Sequence, residues 1–183
     1  MKKYRVKIKF TAPYLQARFS EQAKEELMKD AKKTVTKNLT EEDEMWLRFS
    51  YFDDNGYYVP SEQIKSCLAH SAKDFKMKAK RTSLYQWTKA TLFVSGPKSY
   101  LNKKEPDELL TSYPKRKDGN RVKAIHPSFN VGTELEFDIE CLDDDFSKIT
   151  LKEIIENGGK RNGLGGRRPE FGRFELLKFE AIK

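Results

Sequence analysis

Residues 4–10, YRVKIKF, alternate strictly: Tyr4, Val6, Ile8 and Phe10 fall on one side, Arg5, Lys7 and Lys9 on the other. A period of two puts successive side chains on opposite faces of a strand, so a half-buried strand is predicted, ending before Pro13. From Ser20 to about Lys37 the period changes. Ala23, Leu27, Ala31 and Val35 mark the thin apolar stripe of a helix, with Ser20 placed to cap it. Asp54-Asn55-Gly56 then separates two aromatic-rich runs. Asn-Gly readily takes the positive φ angles of a tight turn, which predicts a hairpin closed by Pro60. Ser61 to about Met77 predicts a helix whose inner face carries Ile64, Leu68, Ala72 and Phe75.

Residues 90–94 read as a short strand, and 96–114, with Pro97, Pro106 and Pro114, as a long irregular loop. Asp118-Gly119 marks a second turn, followed by a strand containing Val122, Ala124 and Ile125 and then His126-Pro127. ELEFDIEC, residues 134–141, alternates again, with Leu135, Phe137, Ile139 and Cys141 inward and Glu134, Glu136, Asp138 and Glu140 outward. Asp143 to Asp145 precede a helix buried through Leu151, Ile154 and Ile155, where negative charge suits the positive end of the helix dipole. Gly158-Gly159 are expected to stop it, and RFELLKFEAI forms a final strand. The order of elements is that of an α+β protein.

Charge adds direction to this outline. There are 36 Lys and Arg against 28 Asp and Glu, a net +8, which favours polyanionic partners through phosphate attraction and counterion release. No apolar run approaches the roughly 20 residues of a membrane span. The opening MKKYRVKIKF lacks the unbroken apolar stretch of about 7–15 residues that a signal peptide needs, so a cytoplasmic location and no membrane partner are expected. The two cysteines, Cys67 and Cys141, and the two histidines, His70 and His126, are too few and too scattered for a metal framework. No metal or cofactor is expected.

Two segments carry chemistry. NGGKRNGLGGRRPEFGRF, residues 157–174, holds Gly158, Gly159, Gly163, Gly165, Gly166 and Gly172 together with Lys160, Arg161, Arg167, Arg168 and Arg173, against one acid, Glu170. Glycines admit unusual backbone angles, and exposed amides with arginines make a phosphate cradle. The segment lacks GxxxxGK[ST] and runs from helix to strand, the reverse of a nucleotide-triphosphate loop. The competing reading is a long turn packed on the core. The second segment, GYYVPSEQIKSCLAHSAKDFK, residues 56–76, is a hairpin strand, a proline and a helix start. A helix start can hold an anion, though a plain strand-to-helix connection accounts better for these residues taken alone.

Together, Tyr58-Val59-Pro60 leading into Ile64-Lys65, and GLGGRRPEFGRF between the last helix and last strand, resemble elements of the RAMP (repeat-associated mysterious protein) superfamily of CRISPR-associated proteins. The departure is at the helix start, Ser61-Glu62-Gln63-Ile64-Lys65-Ser66, where that family often has Gly-Ser-Ser and continues Lys-Gly. The whole chain is also similar to small solitary phage and prophage proteins with the same ending. The resemblance implies a ferredoxin/RRM-like antiparallel sheet with packed helices in one domain, residues 1–183, with 20–59 as a helical and hairpin insertion. It also implies nucleic-acid binding in a bacterial or phage-infected cell and several copies assembled along a strand.

A binding surface follows from charge and exposure. Arg5, Lys7 and Lys9 face outward on one strand and four acids on another; if paired, they cancel. Neither strand presents outward aromatics for base stacking, so binding is expected at loops. The candidate set for single-stranded RNA or DNA is Lys160, Arg161, Gly163, Gly165, Gly166, Arg167, Arg168, Arg173, Lys76, Lys78, Lys80, Arg81 and Tyr85. Lys115, Arg116, Lys117 and Arg121 extend it, and Trp87 reads as a core aromatic. Two further readings stand beside non-catalytic binding. One is a metal-independent endoribonuclease using His70 or His126 as general acid or base. The other is a protein-interaction module for an acidic partner.

Overall fold

The computed structural model describes residues 1–18, 46–77, 82–115, 119–121, 123–142 and 147–182. The helix expected over 20–37, Lys78, Lys80, Arg81, Arg116, Lys117, Val122 and Asp143 to Asp145 lie outside the described residues.

The alternating first segment is strand β1 (Lys2–Phe10), with Val6, Ile8 and Phe10 fully buried. It occupies the middle of a four-stranded antiparallel sheet. The second alternating segment, β9 (Glu134–Cys141), and the last strand, β10 (Phe174–Ile182), flank it, and β5 (Leu92–Val94) pairs with the far edge of β9. Helix α1 (Ser61–Ser71) falls between β1 and β5, and helix α3 (Lys148–Asn157) between β9 and β10. A short helix, α2 (Tyr85–Thr91), leads directly into β5. Chain order β-α-β-β-α-β with the first and third strands central is the ferredoxin-like arrangement. One face of the sheet and the inward residues of α1 and α3, including Ile64, Leu68, Leu151, Ile154 and Ile155, form a common core.

Two smaller three-stranded sheets stand beside this core. One joins β2 (Tyr14–Leu15), β8 (Ala124–Phe129) and β7 (Glu108–Ser112); the other joins β3 (Phe52–Asp53), β4 (Gly56–Pro60) and β6 (Lys98–Tyr100). Gln16, fully buried, ties them together: its Nε2 donates to the Tyr58 carbonyl (3.0 Å) and its Oε1 accepts from the Tyr51 amide (2.6 Å). Its amide is thus satisfied on both ends, as a buried polar group must be.

Three local expectations differ from what is found. Residues 96–114 are not one irregular loop but hold β6 and β7. Pro97, Pro106 and Pro114 sit just outside those strands, where a missing N–H removes no ladder bond. Strand β8 runs on through Pro127, whose carbonyl accepts from the Gln16 amide (3.0 Å). Gly158-Gly159 do not stop α3; the helix widens into a π turn over Gly158–Asn162 and ends at Gly163, φ +70°. Packing sets that limit, since Asn162 Nδ2 donates to the Cys67 carbonyl of α1 (3.3 Å). The described cap of α3 is Ser147, whose Oγ accepts from the Thr150 amide (3.0 Å).

Candidate nucleic-acid interface

The glycine-arginine segment is docked, not suspended. Beyond Gly163 it lies along residues 11–17: the Gly166 amide donates to the Leu15 carbonyl, the Gly172 amide to Pro13, and the Thr11 amide to Arg173, each at 2.8 Å. Leu164 anchors it, 1 % exposed, and its amide donates to the Gly172 carbonyl (2.8 Å). Two glycines are required by close approach. Gly165, φ +82°, lies against the Leu15 carbonyl and the Tyr14 ring, and Gly172, φ +73°, against the backbone of Leu164. The amides of Gly163, Gly166 and Gly172 are therefore spent inside the protein. The glycines let the loop pack, and the loop turns outward chiefly its charged side chains.

Lys160, Arg161, Arg167, Arg168 and Arg173 are all exposed. Arg161 leans on α1's end, Nη1 3.3 Å from Asp74 Oδ2, a carboxylate that Asn157 Nδ2 also reaches (3.0 Å). Among the described residues no acid pairs with Lys160, Arg167, Arg168 or Arg173. The open sheet face is the opposite case. Lys3 meets Glu140 (2.7 Å), Arg5 forks onto Asp138 (2.9 and 3.1 Å), Lys7 meets Glu134 (2.6 Å) and Lys9 meets Glu175 (2.9 Å). The hydrogen bond from Lys3, with one from Ser95, holds the Glu140 carboxyl below its ordinary value. These cations are already neutralised by acids that lie opposite or diagonal to them on β9 and, for Lys9, opposite on β10.

The two segments that carry chemistry come together. The loop and π turn lie along α1: Asn157 Nδ2 donates to Ser71 Oγ (3.1 Å), and the Tyr14 hydroxyl, beneath Gly165, donates to Gln63 Oε1 (3.3 Å). Burial pushes the Cys67 thiol up to about 12, opposed by the nearby positive charge of Arg168. Tyr85 belongs to a separate cluster around the C-terminal end of α1. Its half-buried ring has Lys73 Nζ at 4.9 Å, Lys89 Nζ at 5.4 Å and the His70 ring edge-on at 5.7 Å. Lys76, exposed, pairs through its backbone with Ser83. Trp87 is 37 % exposed and so is not the core aromatic expected. Lys73 was not singled out in the sequence. The signal available was its spacing of three residues from His70, which no pattern within α1 marks as converging on Tyr85.

The histidines differ. His70 is exposed at the end of α1, its Nδ1 2.8 Å from the Ser66 carbonyl. His126 is buried in β8, Nδ1 3.2 Å from the Gln16 carbonyl and the ring against Phe49 at 4.6 Å. Burial lowers its pKa, the Gln16 hydrogen bond opposes that, and the charge of Arg167 adds to the lowering. The sign follows. A base held neutral in the fold takes up protons more readily when unfolded, so stability is full above the ordinary value of 6.5 and falls as pH drops below it. Urea midpoints measured between pH 7.5 and 5 should decline for the wild-type chain and stay flatter for His126→Gln. Parallel declines would show that His126 does not set this dependence.

No family model matches the sequence, and no curated protein is detectably similar to it. Solved structures do match. A chain in the cryo-EM structure of the type III-B Cmr-beta bound to cognate target RNA superposes with a TM-score of 0.57 at 18 % identity, covering 100 % of this chain and 61 % of that one. A CRISPR protein from Archaeoglobus fulgidus superposes with a TM-score of 0.40 at 14 % identity, covering 100 % of this chain and 62 % of that one. The chain thus spans less than two thirds of either relative's length. The sheet order and the first of these likenesses agree on the fold, which is ferredoxin-like.

Proposed function

We propose that this chain is a non-catalytic binder of single-stranded nucleic acid, RNA above all, that grips the phosphate backbone through residues 160–173. The observation that carries the reading is the contrast in pairing. The cations of the sheet face are matched by acids, while Lys160, Arg167, Arg168 and Arg173 are exposed and have no acid partner among the described residues. Unmatched guanidinium groups on a firmly docked loop bind phosphate with little ordering cost. The fold is shared with a chain from a structure that contains target RNA, which favours RNA over DNA. Lys76 and Tyr85 extend the contact around α1, and several copies of the chain line one strand. Arginine contacts to phosphate carry no base information, so binding is not sequence-specific.

The test is a set of titrations with labelled single-stranded RNA, single-stranded DNA and duplex of equal length. Single-stranded RNA should bind tightest. Its log affinity should fall with log salt at a slope of roughly −3, the value for four phosphate contacts on a single strand. Absence of binding at low salt, or an affinity indifferent to salt, would reject the reading.

A further inference from the structure

A cleft of about 570 Å³ opens where α3 ends and β10 begins, lined by Glu156, Gly159, Lys160, Arg173 and Leu176, with Thr11 on the neighbouring segment. Its size falls within the range of about 300–1,000 Å³ that holds small organic groups. Four charged side chains reach it, and they are not equivalent. Glu175 is engaged by Lys9 (2.9 Å) and Glu156 lies 3.8 Å from Lys152, both lysines outside the lining. Lys160, one turn beyond Glu156, and Arg173 pair with no acid among the described residues. The carboxylates are offset from outside, and the two cations are left to face the cleft.

Arg173 is also the last arginine of the glycine-arginine loop, and its carbonyl holds the Thr11 amide (2.8 Å). The cleft is therefore continuous with the loop. We infer that this cleft takes one base of the bound strand, turned out of the stack, while Lys160 and Arg173 hold the phosphate attached to it. The chemistry suits such a group. Leu176, half-buried, offers apolar surface to a ring. Glu156, held only loosely by Lys152, offers an acceptor to a base amino or imino group. Gly159 packs directly on Phe174, where no side chain would fit, and so fixes the floor of the cleft.

This inference rests on the phosphate-binding reading and specifies its substrate. The experiment compares a uridine octamer with an abasic octamer of equal phosphate count and with uridine 5′-monophosphate, using the full chain labelled with ¹⁵N. The base-bearing octamer should bind about tenfold more tightly than the abasic one, the gain of burying one base against Leu176 with a hydrogen bond to Glu156. Amide resonances of Glu156 and Leu176 should move with the uridine octamer and stay still with the abasic one, while that of Lys160 moves with both. Equal affinities, or a preference with the Glu156 and Leu176 resonances unmoved, would overturn the cleft assignment while leaving the phosphate grip intact. So would monophosphate binding as tight as that of the octamer, which would make this a free-nucleotide site. If neither octamer bound, the proposed function would fall, and this inference with it.

Discussion

Changing Arg167 and Arg168 together to Glu should weaken binding of single-stranded RNA by about a hundredfold or more. A hydrogen bond to a charged group contributes about 1.5–3 kcal/mol, and the double reversal also places two negative charges beside the phosphates. Two lost contacts should in addition flatten the salt slope by about 1.4. The fold should survive, because both side chains are exposed and neither holds an acid among the described residues. The left-handed backbone at residue 167, φ +54°, is borne by Arg in the native chain and would be borne by Glu at comparable cost. Affinity within twofold of wild type, measured by fluorescence anisotropy at one fixed salt concentration, would reject these arginines as the grip. A loss of affinity with an unchanged salt slope would point instead to a change in shape.

Gly172→Ala should be among the most destabilising single changes in the chain, by about 3 kcal/mol or more. Two costs combine. The residue sits at φ +73°, where any Cβ is strained, and an added methyl would run into the carbonyl and amide of Leu164. Those atoms have no room to retreat, since the Leu164 amide is bonded to the Gly172 carbonyl and the Leu164 side chain is buried in the core. The same shift would break the bond from the Gly172 amide to Pro13. Urea denaturation should show a lower midpoint with an unchanged slope. An unfolding free energy within about 0.5 kcal/mol of wild type would mean that the loop is not docked as described. Nucleic-acid binding should fall only as far as the folded fraction falls, which separates the glycine's packing role from the arginines' contact role.

Much of the fold was legible in period and punctuation. Strict alternation in residues 4–10 and 134–141 identified the two central strands and the face each residue takes. The helix after Pro60 was readable because Ile64 and Leu68 recur at helical spacing. Strands β6 and β7 were not readable: β6 has three residues and both are flanked by prolines, so local composition resembles that of a loop. Their pairing partners, β4 and β8, are what make them strands. The extension of α3 through a π turn was hidden for a related reason. Paired glycines usually end a helix, and here the turn continues through Gly158 and Gly159 because Gly158 lies in contact with Cys67 and Ser71 of α1 and Gly159 packs on Phe174 of β10, where no Cβ would fit.

The candidate site divides along the same line. Which residues are basic, that they cluster in one glycine-rich stretch, and that β1 and β9 carry opposite charges outward were properties of the chain itself, because composition and period are local. Which of those cations are cancelled was decided by tertiary register. Arg5 finds Asp138 only because β1 lies antiparallel to β9, while Arg167 and Arg168 meet no such strand. The cleft between α3 and β10 likewise exists only once Thr11, Lys160 and Arg173 are brought side by side. Charge is inherited from each residue, but whether it is free to bind depends on what the fold sets within a few ångströms of it, since an opposite charge at that range cancels most of the field a ligand would feel.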